Sequence, residues 1–387
     1  MPHILDYDPQ LGANELPFED ELMVKLKKMP KVDLHRHLVG SIRPEVLVYI
    51  ADKLGILIPI FGNDSERIRK ASVVTTPKQD GYKHFLAKRI WSVFQHIFST
   101  RSGVANAIYW AAIDAGRDGV CYVEFRVSPY GVDRTFPLNL HSFVAALRDG
   151  IEAASRDYPQ LIVKIIFSIG RRSVFEKWDN SRHRQYYDRL ITIAKAFDDV
   201  VVGFDISGDE EKYPNKLFID FAERVKANNF KLTVHAGETG SASSMWEAIK
   251  LLQVDRIGHG IGAKANDRLM ETLSEKKITL ELCPTSNLLL GVVPDLESYP
   301  CRDFLARGIE VTINTDDPVL LGPTNLSKEF YRLIGAKQIM INDIERISNF
   351  GINASFATER EKAQLTLRVK DFFLSKYSRA ATNNHHS

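Results

Sequence analysis

Eight short runs of branched and aromatic residues punctuate the chain, at positions 31–38, 121–128, 161–169, 200–206, 230–236, 256–259, 278–283 and 309–315. Each is too short for an ordinary helix and rich in side chains that pack well on a pleated surface, so each predicts a strand. Between most of them apolar residues return at helical spacing, as in Phe218, Phe221, Ala222 and Val225, or Met245, Ala248, Ile249 and Leu252. Alternating strand and helix predicts a parallel sheet, and eight repeats of the unit predict an α/β fold closed into a single (β/α)8 barrel of the TIM type. The strand runs are close to continuously apolar, as strands covered on both faces should be.

The rhythm breaks in one place. About eighty residues separate the first run from the second, which predicts a helical insertion over the pocket. Within it Phe85, Leu86, Ile90, Val93, Phe94 and Ile97 recur at helical spacing, and positions 64–76 read as a loop or short helix carrying Arg67, Arg69 and Lys70. After the eighth run additional helices continue to about Tyr377, with Asn342 and Glu345, and Thr358 and Glu361, at the spacing of capping boxes. The expected organisation is an N-terminal extension over 1–28, one barrel domain over 29–380 and a polar tail over 381–387.

Composition narrows the partners. A chain of 387 residues with 26% charged residues and a formal net charge of +2 has no overall field that would draw it to nucleic acid or to an acidic membrane surface, so the expected partner is a small molecule. Cys121, Cys283 and Cys301 are widely spaced and odd in number, which fits a reducing cytoplasm better than a disulfide framework. The N-terminus is acidic without an apolar segment, so no secretory signal is read, and no run of 18 apolar residues predicts a membrane span.

The chemistry sits at the ends of four predicted strands: Asp33-Leu34-His35-Arg36-His37, Val234-His235-Ala236-Gly237-Glu238, Arg256-Ile257-Gly258-His259-Gly260 and Ile313-Asn314-Thr315-Asp316-Asp317-Pro318. Side chains alternate along a strand, so His35 and His37 share a face while Arg36 points the other way, and the pair can chelate one ion. His235 adds an imidazole and Asp316 an oxygen, a donor set that suits zinc. Gly40 is read as the residue that allows a sharp turn after the first strand. Glu238, three residues past His235, is placed beside the metal. Each signal has a plainer reading, a structural histidine or a helix cap at Asp316-Asp317-Pro318. Four of them on one barrel rim outweigh it, because that rim is where barrels of this class keep their active sites.

These motifs, with Tyr122-Val123-Glu124-Phe125-Arg126-Val127-Ser128-Pro129, Gly203-Phe204-Asp205-Ile206-Ser207-Gly208-Asp209-Glu210 and Cys283-Pro284-Thr285-Ser286-Asn287, resemble the adenosine/AMP deaminase family in order from about residue 29 to 370. The resemblance implies one zinc ion per chain on His35, His37, His235 and Asp316, and hydrolytic deamination of a 6-aminopurine nucleoside or nucleotide to the 6-oxopurine and ammonia. In that scheme Glu238 protonates ring N1, His259 orients water and takes its proton, Asp317 accepts a hydrogen bond from N7, and the Gly208 backbone faces the N3 edge. The rival readings are another metal-dependent hydrolase of the same superfamily acting on a cyclic amide or ester, and a non-catalytic nucleoside-binding protein. Glu238 and His259 argue against the first, and the complete ligand set argues against the second.

One position departs from the family pattern. Where adenosine-specific members usually carry an aspartate for the ribose 5′-hydroxyl, this chain has Val39, followed by Gly40 and Ser41. Valine cannot accept that hydrogen bond, which leads to the expectation of a substrate with a substituted 5′ end, a phosphate or another bulky group, contacted near Val39 and Ser41. Candidate anion partners are the seven basic residues Arg67, Arg69, Lys70, Lys78, Lys83, Lys88 and Arg89, and the pair Arg171-Arg172 past the third strand.

Overall fold

The computed structural model describes residues 20–58, 61–73, 94, 96–129, 138–175, 180–322 and 324–383. Its eight strands are β1 Lys31–His37, β2 Val120–Val127, β3 Ile162–Gly170, β4 Val201–Ser207, β5 Lys231–Ala236, β6 Arg256–His259, β7 Thr279–Leu282 and β8 Val311–Ile313. They form one sheet in sequence order with every adjacent pair parallel, and each strand coincides with one of the eight apolar runs. The barrel closes between β8 and β1. There the Leu34 N–H donates to Asn314 Oδ1 at 2.9 Å, the Asp316 N–H to the His35 carbonyl at 2.8 Å and the His37 N–H to the Asp316 carbonyl at 2.8 Å. Closure therefore runs through residues of the candidate site itself.

Helices cover the outside, among them Arg101–Arg117 and Leu140–Asp157, whose apolar faces pack on each other and on the strands. The close contact is at Gly150, where a Cβ would lie 2.3 Å from the Ala105 carbonyl. The helix Glu21–Lys28, capped by Asp20, precedes the barrel and buries Met23 and Leu26. The insertion after β1 supplies the helices Pro44–Lys53 and Ser65–Ser72, and the rest of its expected apolar stripe, apart from Phe94 and Ile97, lies outside the described residues. The box at Thr358 forms in both directions, with Thr358 N–H to Glu361 Oε2 at 2.8 Å and Glu361 N–H to Thr358 Oγ1 at 3.3 Å. The box at Asn342 does not form: its side chain caps nothing, and Asp343 instead accepts from the Met340 N–H at 2.7 Å. The last helix runs Glu359–Asn383, beyond the expected end near Tyr377.

The barrel interior differs from the expected apolar filling. Glu124, Arg126, Asp205, Arg256 and Glu281 are all buried in it, and together with Thr233 and Tyr122 they make a connected polar core. At the N-terminal end Phe356 plugs the barrel: its ring lies 3.6 Å from the Arg256 guanidinium carbon, and a Cβ on Gly203 would stand 2.7 Å from it. No helix among the described residues is long and apolar enough to cross a membrane.

Candidate active site

The C-terminal rim of the barrel brings His35 and His37 from β1, His235 from β5, His259 from β6 and Asp316 from just after β8 into one cluster. His35 Nε2 is 3.1 Å from His235 Nε2 and 3.6 Å from Asp316 Oδ1, and His37 Nε2 is 3.4 Å from the same oxygen. Donor atoms about 2.0–2.1 Å from a tetrahedral zinc ion stand roughly 3.3 Å apart, so these separations fit one such ion.

Tautomers strengthen the fit. His35 Nδ1 faces Glu281 Oε2 at 2.9 Å and His235 Nδ1 faces Asp205 Oδ1 at 3.0 Å. Each carboxylate takes the Nδ1 hydrogen, which leaves two Nε2 lone pairs aimed at each other, an arrangement that a cation between them resolves. Burial holds His35 well below its usual pKa, with the Arg126 guanidinium adding to the effect. For His235 burial works the same way, but the Asp205 carboxylate outweighs it and raises the imidazole above its ordinary value. His37 is the most open of the three, with its side chain 23% exposed.

Glu238 stands 3.7 Å from His259 Nε2. Burial pushes its carboxyl up to about 8, with His235 opposing and Asp316 and Glu210 adding to the rise. The rise favours the protonated form, the state from which a carboxyl group donates. Among the described residues His259 Nε2 is buried without a hydrogen-bond partner and points into the same space, while its Nδ1 lies 3.2 Å from Asn287 Nδ2. Burial keeps His259 well below its usual pKa, hence neutral. Both His259 and Asp316 are left-handed, with φ of 61° and 59°, a conformation that costs a non-glycine residue energy and that turns each side chain inward from the strand end.

Asp317 follows on the outer side, half-buried, and burial raises its carboxyl well above the usual range, with Asp316 and Glu238 contributing. Its carboxylate packs on Gly40, where a Cβ would come within 1.8 Å of Asp317 Oδ1. Gly40 does not have the positive φ expected of a sharp turn. What requires glycine there is the close approach of Asp317. Gly208, at the end of β4, does have a left-handed φ of 103°.

The candidates at the sugar end sit differently from expectation. Val39 begins a 3-10 turn at Val39–Ser41 and packs on the apolar core, partly buried. Ser41 is buried, donates its hydroxyl to the His37 carbonyl at 2.7 Å and accepts from Arg36 Nε at 3.0 Å, so it braces the end of β1. Arg171 is fully buried and is a strut, not an anion clamp: it donates to the Tyr213 carbonyl, Asn215 Oδ1 and the His235 carbonyl, each at 2.7 Å. Arg172 is exposed. Arg69 is ion-paired with Glu45 and, at 3.3 Å, with Glu66. Arg67 and Lys70 are exposed on the same helix, and Lys78, Lys83, Lys88 and Arg89 lie outside the described residues.

Residues that the motifs alone did not single out are the supports. The rings of His235 and His35 are oriented by Asp205 and Glu281. Arg126 bridges them, with NH2 2.5 Å from Glu281 Oε2 and Nε 3.4 Å from Asp205 Oδ2. Cys283 lies near His35, His259 and Asp316 with a thiol that burial keeps protonated. The available signal was a charged residue at an inward position of an otherwise apolar strand.

A (β/α)8 barrel with imidazoles and a carboxylate converging on its C-terminal rim belongs to the metal-dependent hydrolases. The adenosine deaminase family model matches residues 30–372. The adenosine deaminase of Edwardsiella ictaluri is 33% identical over 338 residues, covering 87% of this chain and 97% of its own. In structure the chain resembles a zinc-bound amidohydrolase from Burkholderia ambifaria, with a TM-score of 0.76, 25% identity and coverage of 95% and 97% of the two chains. It also shares its fold with the N6-methyl-AMP deaminase of Arabidopsis thaliana, with a TM-score of 0.73, 22% identity and coverage of 90% and 98%. The chain belongs to the adenosine deaminase family, and it is a deaminase-type hydrolase of purine nucleosides or nucleotides.

The fit between Gly40 and Asp317 is testable. Gly40→Ala is expected to fold with an unchanged melting temperature but to lose on the order of a hundredfold in kcat/KM, because the new methyl displaces Asp317. Full activity in the alanine variant would show that the Asp317 position is not critical.

Proposed function

We propose that the protein is a zinc-dependent hydrolytic deaminase that converts a 6-aminopurine nucleoside, or a nucleoside substituted at its 5′ end, into the 6-oxopurine and ammonia. The observation that carries this reading is the pair of Nε2 atoms of His35 and His235, 3.1 Å apart, with both Nδ1 atoms facing carboxylates. His35, His37, His235 and Asp316 would hold the zinc, which supplies a water acidic enough to attack at neutral pH.

The chain's own groups then divide the proton traffic. Glu238, in its protonated form, donates to ring N1 so that electron density arriving at C6 is taken up by the ring. His259, neutral and with Nε2 aimed inward, orients the attacking water. Asp317, whose carboxyl burial raises well above the usual range, pairs with N7 by donating its hydroxyl rather than by accepting, because N7 of a 9-substituted purine has a lone pair and no hydrogen, and the Gly208 backbone lies along the N3 edge. The C6–N bond breaks as the amino group gains the proton that the attacking water gave up, and it departs as ammonia. Val39 supports a substrate whose 5′ end is substituted, because an apolar side chain there offers neither a hydrogen bond to a hydroxyl nor repulsion to an anion. Ser41 and Arg171 make internal bonds, and Arg67, Lys70 and Arg172 are candidates for a phosphate by charge and exposure.

Three measurements test the reading. The purified protein should carry about one zinc per chain, and His235→Ala should lose both metal and activity, since three ligands hold the ion poorly. Full turnover in a strong chelator with no metal present would overturn this. Glu238→Gln should keep zinc and bind purine yet lose about a hundredfold or more in turnover, and a variant within about tenfold of wild type would place the acid elsewhere. For the 5′ end, adenosine, deoxyadenosine, AMP, dAMP, methylthioadenosine and N6-methyl-AMP can be compared by the absorbance change on loss of the 6-substituent. Val39→Asp should lower kcat/KM for the substituted substrates and spare or improve adenosine. A wild-type preference for plain adenosine that Val39→Asp leaves unchanged would mean that another group takes the 5′-hydroxyl.

A further inference from the structure

Glu210 is buried at the start of the loop after β4, two residues past Gly208, yet its carboxylate is spent entirely on the loop after β5. Oε2 accepts from the Gly237 N–H at 2.7 Å, and Oε1 accepts from the Thr239 N–H at 2.8 Å and the Thr239 hydroxyl at 2.9 Å. The two backbone donors are the immediate neighbours of Glu238. The carboxylate takes the Gly237 N–H, one peptide before the link into Glu238, and the Thr239 N–H, in the peptide that leaves it, so it holds the chain on both sides of Glu238 and limits the direction of its side chain. The loop needs such a brace, because Gly237 has a left-handed φ of 71° and Gly240 one of 90°, leaving Glu238 between two flexible positions. Other bonds hold the surroundings: the Gly237 carbonyl accepts from the Gly262 N–H at 3.0 Å and the Gly240 N–H at 3.2 Å, and Arg171 and Asn215 tie the same two loops together through the His235 and Ser244 carbonyls, but among the described residues Glu210 is the side chain that takes the Gly237 and Thr239 N–H groups.

We propose that Glu210 is a positioning residue that aims Glu238 at the purine ring and holds it at a set distance from Gly208 on the neighbouring loop. This rests on the role given to Glu238 above. The charge-assisted bonds to both flanking amides make the loop a rigid arm rather than a hinge, so the acid meets ring N1 without a search at each turnover.

The test is a double-mutant cycle on the zinc-loaded full chain with the best substrate of the panel. E210Q replaces one acceptor with an amide donor facing an N–H, and should lower kcat about tenfold to a hundredfold while KM and zinc content change little. In the E238Q background the same change should cost less than about twofold, because an arm that carries no acid has nothing to aim. A role in general stability would instead multiply the two losses and lower the melting temperature equally in both backgrounds. An E210Q enzyme within about twofold of wild type, or losses that multiply, overturns the proposal. If E210Q does not fold, T239V decides: it removes the hydroxyl bond alone and should cost roughly threefold in kcat in the wild-type background and nothing beside E238Q. No loss, or an equal loss in both, overturns the proposal in that form. An active E238Q would sink the assignment of the acid itself, which the cycle reads separately from any failure of Glu210.

Discussion

The Glu281 carboxylate in the middle of the barrel is the group on which the site depends. It is fully buried and shared: Arg256 Nε at 2.6 Å and the Thr233 hydroxyl at 3.0 Å bind Oε1, and Arg126 at 2.5 Å and His35 Nδ1 at 2.9 Å bind Oε2. Arg256 in turn is ion-paired to Glu124, which also receives the Tyr122 hydroxyl at 2.8 Å and the Phe356 N–H at 2.7 Å. An ion buried this deeply costs several kcal/mol unless its partners are complete, and losing one partner strands the others. Three carboxylates, Glu124, Asp205 and Glu281, face two guanidiniums, Arg126 and Arg256, which leaves one negative charge in excess. With Asp316 the excess is two, the amount a divalent cation neutralises.

From this core the site is assembled outward by direction. Glu281 and Asp205 present the Nε2 faces of His35 and His235 to the rim, and the left-handed turns at His259 and Asp316 swing their side chains over the barrel mouth. Such conformations cost of order 1–3 kcal/mol each and persist only when the surroundings enforce them. At Asp316 the enforcement is visible, since its own N–H and carbonyl form the hydrogen bonds that close β8 on β1. At His259 the Asn287 amide pins Nδ1 while the Tyr299 hydroxyl, 3.0 Å from Asn287 Oδ1, fixes the amide. Gly258 completes the fit, because a Cβ there would stand 2.8 Å from the His35 ring.

Much of this was legible in the chain. All eight strands fall where branched residues cluster, because a strand covered by helices must be apolar outward along its whole length. The rim residues were legible because ligand chemistry uses few residue types and the barrel puts strand ends together. The interior was harder to read. Glu124, Arg126 and Asp205 sit at inward positions of apolar strands, a signal that becomes readable only once the barrel fixes which face is inward. Their partners are tens to more than a hundred residues away, as with Arg126 and Glu281. Ser41 and Arg171 misled for the same reason: a polar residue next to a site motif can face the ligand or hold the motif up, and both of these hold it up.

That division explains how one barrel can keep its reaction while its substrates vary. The reacting end hangs on groups locked into the interior, where a change of charge disturbs several partners at once. Val39 belongs to a short turn that rests on apolar side chains and carries no bond of that network. A substitution there alters what the pocket tolerates without unpairing a buried ion, so the loops after β1 can be re-fitted at little cost to catalysis. The same reasoning places the limits of re-fitting: Gly40 and Ser41 follow at once, one pressed against Asp317 and the other bonded to the His37 carbonyl, so the freedom to change specificity in this turn is confined to Val39.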